Sequence, residues 1–596
     1  MKSPAGLSEE AASAASRPAK SRQPLENALL STSKTNTSRA HVLTVALEDY
    51  FHAAPFRPWV REEIWYRFED RLAASTRRML ELFQRCDVQA TFFVTARTAE
   101  AAPDLVQEIA RQGHEIAAAG DHGPDLRKLD RHRFRSDAAE SRGRIEQIVG
   151  HRVLGYRIAS AWLSPADVWI LDVLAAAGYR YDSSVRPALF SNPDEVWRRT
   201  RKASDDSAQP FFEVPVSSIG LFGINVPIAG GGPFRLFPES VTRRAVAHWD
   251  RHRAQPYVMY LRTWELDADQ PRLSAPPLHA RIRHYRNLHR MPRLLEEVLS
   301  SYQFTSAAGH LGLELEPVAQ ARASEGAFDG ATEVLVRDRR PTPAPSATTA
   351  VSVVIPCYNE SQSLPYLNKT LASVAEMFRD RYAFTFLFVD DCSTDTTWQL
   401  LQELFGSRPG FVLLRHQRNQ GVAAAIHTGI RHAVDDIVCS IDCDCTYDPH
   451  ELGRMIPLLE EGVDVVTASP YHPAGKVRNV PAWRLFLSRG LSRLYRVVLR
   501  QKLFTYTSCF RVYRRASVAA LDLRMPGYLG LTELIAYVDF AGRRIVEWPS
   551  TLEVRVLGLS KMKVLRNIAG HVGLLAGLAR RRLARRYDAI AAESSF

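Results

Sequence analysis

Proline and alanine break this chain in two. The string Arg339-Arg-Pro-Thr-Pro-Ala-Pro-Ser-Ala-Thr-Thr-Ala350 places prolines at 341, 343 and 345 and carries no apolar periodicity. Such a stretch is extended and semi-rigid, and no single core runs through it. At 596 residues the chain exceeds what one ordinary core supports, so separate domains are expected on either side. The expected division is a disordered tail over 1–40, a first domain over 41–314, a linker over 315–349, a second domain over 350–562 and a basic amphipathic segment over 563–596.

Both long segments alternate strand-like and helix-like runs. In the first, His41–Leu47, Ala90–Val94, Glu115–Ala118 and Val258–Leu261 read as strands, with helical stretches such as Arg71–Gln84 and Ala166–Ala177 between them. In the second, the β-branched run opened by Val351 reads as a buried strand stopped by Pro356; Thr385–Val389 and Ile437–Cys439 follow. Alternation of this kind predicts an α/β protein with parallel strands and helical crossovers. A doubly wound sheet binds its ligand beyond the carboxyl ends of its strands. In the second segment those ends carry Asp390, Asp391 and Asp395, and then Asp442 and Asp444. No Gly-x-Gly-x-x-Gly occurs, which disfavours a dinucleotide.

Asp442 and Asp444 are the sharpest chemical signal. Residues at i and i+2 of an extended segment point the same way, so both carboxylates are expected to face one crevice. Oxygen ligands of this kind suit Mg²⁺ or Mn²⁺ completed by substrate phosphates. The excess of 77 basic over 65 acidic residues, +12 in net charge, suggests an anionic partner: nucleotide phosphate or lipid head group. No basic cluster interleaved with aromatics points to nucleic acid. The seven cysteines match no zinc spacing, and they fit a reducing compartment. No uninterrupted apolar span of membrane length is read, so a cytoplasmic, membrane-peripheral protein is expected.

The first segment contains "LTVALEDYFH" from Leu43, "GHEIAAAG" from Gly113, "GYRIAS" from Gly155, "EVPVS" from Glu213, "GGGPFRLFP" from Gly230 and "YLRTWELD" from Tyr260. In order and content these resemble the NodB-like polysaccharide deacetylases, which implies a distorted (β/α) barrel. Such enzymes hydrolyse N-acetyl groups with a metal held by one acid and two histidines. Here the positions of that site are degenerate. The base aspartate falls at Ala46, the two histidines at Ala119 and Gly123, and the acid histidine at Arg262; Arg157 is retained. Alanine cannot serve as a general base, and loss of both imidazoles removes most metal affinity. An inactive domain is therefore expected. The alternative is a rewired hydrolase that uses Glu48, Asp49, His52 and His122.

The second segment resembles the family 2 inverting glycosyltransferases, most closely the dolichol- or polyprenyl-phosphate sugar synthases, with a GT-A-like fold. The resemblance rests on "VSVVIPCYNE" from Val351, "VDDCSTD" from Val389, "NQGVAAAIHTGIRHA" from Asn419, "DCDC" from Asp442, "TSCFRVYRR" from Thr507, "LTELIAYVDFAGRRIVEWP" from Leu531 and "RVLGLSK" from Arg555. It implies that Pro356, Tyr358, Glu360, Val389, Asp391, Asp442 and Cys443 line a nucleotide-sugar site, that Asp442 and Asp444 hold the metal, and that Arg555, Ser560 and Lys561 face phosphates of donor or acceptor. Asp444, Glu533 and Arg511 are implied in catalysis. Departures from the pattern fall at Thr446, Pro470, Thr505 and Cys509.

Two basic amphipathic stretches suggest an anionic membrane surface. Arg489, Arg493, Arg496 and Arg500 share one helical face while Leu487, Leu491, Leu494 and Val498 share another; a short apolar run and five arginines follow Asn567. The expected reaction is transfer of a sugar from a nucleotide-sugar to a polyprenyl phosphate or related lipid or glycan acceptor. Two other readings stand beside it: a bifunctional transferase and N-deacetylase, and a glycan-binding scaffold without activity.

Overall fold

The computed structural model describes residues 39–318 and 348–593, apart from 121–129, 160–161, 164–166, 168, 186–209, 222–223 and 559–563. The expected tail over 1–38 and most of the expected linker lie outside the described residues.

The first domain is a curled, all-parallel sheet of eight strands. In sheet order these run Phe304–Thr305, His41–Ala46, Thr91–Thr95, Glu115–Gly120, Gly155–Ile158, Tyr181–Asp182 and Phe212–Glu213, and Val258–Arg262 pairs with the other edge of His41–Ala46. The curl is an incomplete barrel. Between its two free edges the backbone of Ser217 donates to the Val258 carbonyl at 3.3 Å, and its hydroxyl accepts from the Val258 N–H at 2.9 Å. Strand alternation sorts the side chains. Leu43, Val45, Phe92, Val94, Ile116 and Ala118 pack outward under the helices. Val42, Phe93, Ala117, Ala119 and Val258 fill the interior.

The second domain is a seven-stranded mixed sheet in the order Phe411–Arg415, Tyr382–Asp390, Thr349–Cys357, Ile437–Ser440, Arg511–Arg514, Val465–Ser469, Ile545–Pro549. It is not wholly parallel: Arg511–Arg514 runs antiparallel to both of its neighbours. The central strands are buried on both faces, as their unbroken Val/Ile/Phe content requires. Pro356 does not stop its strand, which continues to Cys357. The missing N–H costs nothing there, because pairing with Ile437–Ser440 has already ended at Val354.

The C-terminal helix Val564–Glu593 belongs to this domain rather than standing apart from it. His571, Leu574 and Leu578 are buried, and the Tyr495 hydroxyl meets His571 Nδ1 at 2.8 Å. The helix Ala482–Val498 beneath it buries Ser492 and Tyr495, and leaves Trp483, Phe486, Leu487, Leu494 and Val497 exposed. Among the described residues no helix is long and apolar enough to cross a membrane.

The two domains share a core of their own. Tyr50, Phe51, Phe56, Phe68, Trp264 and Leu273 of the first pack with Tyr366, Val556 and Leu557 of the second.

Candidate active site

Asp442 and Asp444 sit just past the carboxyl end of Ile437–Ser440. The chain has left extended geometry there: Cys445 N–H donates to the Asp442 carbonyl at 3.3 Å, and Cys445 has φ +52°. The pair therefore shares a face through a tight turn, not through the strand alternation expected from sequence. Asp444 Oδ1 stabilises the turn by accepting from the Thr446 N–H at 3.0 Å. Both carboxylates line one cavity of about 900 Å³, together with Pro356, Tyr358, Glu360, Asp391, Cys443 and Arg555.

Arg555 closes the cavity floor electrostatically. Its Nε lies 2.6 Å from Asp444 Oδ2, and its terminal nitrogens meet Glu360 at 2.9 and 3.1 Å. Among the described residues no cation pairs directly with Asp442; its Oδ1 accepts from the Cys509 thiol at 2.8 Å. Burial, and then the neighbouring Asp444 charge, push the Asp442 carboxyl up to about 7. A divalent cation between the two carboxylates would relieve that strain, and an all-oxygen donor pair suits a hard cation. The residues present thus fit Mg²⁺ or Mn²⁺, although no cluster of three or more metal-ligating side chains occurs among the described residues.

Asp391 shapes the opposite wall. It accepts from Gln420 N–H at 2.8 Å and Gly421 N–H at 2.7 Å, and from His416 Nδ1 at 2.8 Å. Gly421 has φ +91°, and a Cβ there would fall 2.6 Å from the backbone nitrogen of Gly527. The two loops can touch at this point because Gly421 lacks a side chain; at Gly527 the space is open, and only its φ of +58° favours glycine.

Several expected site residues stand elsewhere. Val389 is in the core, fully buried. Arg511 is fully buried behind the sheet, donating to the carbonyls of Leu531 and Tyr506 at 2.9 and 2.8 Å. Glu533 accepts from the backbone N–H groups of Arg524 and Met525, both at 2.8 Å, and from the Tyr537 hydroxyl at 2.7 Å. Neither Arg511 nor Glu533 lines the cavity; both hold backbone in place. Ser560 and Lys561 lie outside the described residues. Sequence reasoning missed Cys509 as a partner of Asp442, His416 as a partner of Asp391, and Ser274 of the first domain as a lining residue.

In the first domain Ala46 ends the strand His41–Ala46 and Ala119 is the last residue but one of Glu115–Gly120, with the strand Thr91–Thr95 between them; His122 and Gly123 lie outside the described residues. Arg262 takes Glu48 in an ion pair at 2.8 Å, and the Trp264 indole donates to the same oxygen at 3.2 Å. Asp49 caps the turn Tyr50–His52 and accepts from Tyr50 and Arg71 N–H at 2.7 and 2.8 Å. His52 accepts from the Asp49 N–H through Nδ1, and burial pushes its imidazole down to about 3. Arg157 is buried, with its guanidinium on Ser183 and Thr44. The acidic and imidazole groups of the rewired-hydrolase reading that are described, Glu48, Asp49 and His52, thus already have internal partners.

A mixed sheet with acidic strand ends, an aspartate pair and a facing arginine in one cavity defines a GT-A-like glycosyltransferase domain. Residues 352–521 match the glycosyl transferase family 2. The polyprenol monophosphomannose synthase of Mycolicibacterium smegmatis is 32% identical over 222 residues, covering 36% of this chain and 82% of that one. The undecaprenyl-phosphate mannosyltransferase of Micrococcus luteus is 30% identical over 218 residues, covering 36% and 87%. The chain belongs to glycosyl transferase family 2 through this domain. The dolichol-phosphate mannosyltransferase of Pyrococcus furiosus is 29% identical over 215 residues; the match takes in 36% of this chain and 59% of that protein's length. Among solved structures, the mannosyltransferase PcManGT from Pyrobaculum calidifontis in complex with GDP-Man and Mn²⁺ is 18% identical, covering 40% of this chain and 66% of that one with a TM-score of 0.31. In the first domain, residues 60–181 match the polysaccharide deacetylase family and 183–311 a domain of unknown function, DUF3473.

Proposed function

We propose that the chain transfers a sugar, mannose by likeness to its relatives, from a nucleotide-sugar to a polyprenyl phosphate at the cytoplasmic face of a membrane, with inversion at the anomeric carbon. The observation that carries this reading is the Asp442, Asp444 and Arg555 cluster in one cavity whose rim is apolar helix. The donor's nucleotide would lie along Pro356, Tyr358 and Asp391. Asp442 and Asp444 would hold Mg²⁺ or Mn²⁺, which when bound neutralises charge on the departing diphosphate. Arg555 supplies a fixed cation at the same place. A phosphate-monoester acceptor is already anionic, so it needs cationic clamping more than a base. This suits a cavity where Glu533 is engaged elsewhere. Trp483, Phe486, Leu487 and Leu494 line the cavity's mouth and are exposed, which suits a lipid chain entering from a bilayer.

The first domain, on this reading, does not hydrolyse acetamides. Its general-base position is Ala46 and one of its imidazole positions is Ala119, and neither side chain can take up a proton or ligate a metal.

Radiolabelled GDP-mannose or UDP-glucose is offered with undecaprenyl phosphate and Mn²⁺ or Mg²⁺, followed by organic extraction. Label in the lipid phase, lost in Asp444→Asn, is the expected result. Label in a soluble glycan would replace the acceptor. Absence of transfer and of donor binding would leave the scaffold reading. Acetate release from N-acetylated glycans would restore the bifunctional one.

A further inference from the structure

The first domain grips the transferase at two places, of which Ser274 lines the cavity, and both bear on the same ion pair. Arg67 is buried, with its side chain only 6% exposed, and one of its terminal nitrogens lies 3.0 Å from each oxygen of Asp448. Asp448 lies beyond Asp444 on the same irregular segment and caps the short helix Pro449–Glu451 that follows it. On the other side, Ser274 N–H donates to the Val556 carbonyl at 2.7 Å, its hydroxyl lies 3.2 Å from the Arg555 carbonyl, and Leu273 forms an antiparallel bridge with Leu557. Arg61 adds an ion pair to Glu553 at 2.8 Å. The segment gripped by Arg67 carries Asp444, and the segment gripped by Ser274 carries Arg555. Their side chains meet at 2.6 Å. Both grips come from one folded body, and they add to the contacts inside the transferase domain, where Glu553 N–H donates to the Thr446 carbonyl at 2.9 Å and Arg555 pairs with Glu360 at 2.9 Å.

We propose that the deacetylase-like domain is a built-in positioning element of the transferase: Arg67 and Ser274 hold the Asp444 and Arg555 segments in mutual register, and the rate of transfer depends on them. Neither residue is assigned contact with reacting atoms. The inference rests on the transferase reading above. It explains why a domain whose catalytic positions are Ala46 and Arg262 keeps a fully built fold: the surface that meets the second domain is what it contributes.

The test is transfer by the full chain from GDP-mannose and Mn²⁺ to undecaprenyl phosphate, with kcat and the donor KM measured separately. Arg67→Met keeps the apolar stem and removes the grip on Asp448; Ser274→Ala removes one hydroxyl. Arg77→Ala, which breaks an exposed ion pair with Glu108 on the barrel's outer face, is the control. Loosening the Asp444 segment relative to Arg555 is expected to lower kcat about tenfold or more in Arg67→Met, with the donor KM changed far less. Arg67→Lys, which restores a single charge contact, is expected to fall between. Ser274→Ala should lose about threefold in kcat, and Arg77→Ala nothing. Native kcat in folded Arg67→Met, with Asp444→Asn inactive, overturns this inference and leaves the transferase reading intact. If Arg67→Met does not fold, Ser274→Ala decides alone, and an unchanged kcat overturns the inference. A native chain that transfers from none of the donors overturns both.

Discussion

Asp444 and Glu533 are both carboxylates set among the motifs of one family, yet they stand in different surroundings, and substitution should separate them. Asp444 faces the cavity and Arg555. Asp444→Asn removes the charge that a donor-bound cation needs, and transfer is expected to fall about a hundredfold or more. Glu533 is buried, and one of its oxygens takes two backbone N–H groups. Glu533→Gln keeps the shape but weakens those bonds, so urea unfolding should show about 1–3 kcal/mol of lost stability with kcat close to native. A Glu533→Gln chain that is fully stable and inactive would return Glu533 to catalysis. That the two aspartates share one cavity was legible from their local spacing, but the turn that puts them there was not, because the strand ends at Ser440. Glu533 was misplaced because a motif gives a residue's type but not its direction. A carboxylate eight residues after a turn can reach back to that turn's N–H groups as readily as it can face a substrate.

The two helices at the cavity mouth show the same limit one level up. Their amphipathic pattern was plain in the sequence, but the assignment of faces was half right. Leu491 and Val498 pack on the core beside buried Tyr495, whereas Leu487 and Leu494 point out with Trp483, Phe486 and Val497. The buried stripe is small and partly polar, Ser492 and Tyr495, which periodicity of large apolar residues does not reveal. Replacing exposed Phe486 and Leu494 by Glu should leave stability within about 0.5 kcal/mol, as for surface changes. Binding to vesicles containing anionic lipid and transfer to undecaprenyl phosphate should both drop. Unchanged sedimentation with vesicles would argue against membrane docking by this helix. The helix Val564–Glu593 carries a different test. Burial pushes its His571 imidazole from 6.5 down to about 4. Between those values the unfolded chain binds a proton that the folded chain refuses, so this contribution is present above about 6.5 and lost as pH falls toward 4. His571→Gln keeps an acceptor for the Tyr495 hydroxyl without titrating. From about pH 7.5 to 5 the native chain should lose on the order of 1–2 kcal/mol more stability than the variant. Equal losses would show that His571 is already charged in the fold.

At the scale of the molecule, the break at Pro341–Pro345 predicted separate domains, and among the described residues one large sheet lies on each side of it, of eight and of seven strands. Their union was not legible. Nothing in the sequence marks Phe51, Phe68 and Trp264 as contacts of a second domain, and the ion pair of Arg67 with Asp448 joins residues 381 apart. No periodicity links such positions; only the folded surfaces bring them together. That shared apolar core and its two grips on the transferase loops make independent unfolding costly, since either domain melting alone would expose the aromatic cluster of the other. Calorimetry of the full chain should therefore give one endotherm. GDP with Mn²⁺, which on the present reading binds only the second domain, should move all of that endotherm upward; at about 100 times its Kd the gain is about 2.7 kcal/mol. Phe68→Asp, which puts a charge between Phe51 and Tyr366, should split the transition in two, and nucleotide should then shift only one part. Two separate transitions in the native chain, with nucleotide moving only one of them, would mean that the domains touch without energetic coupling.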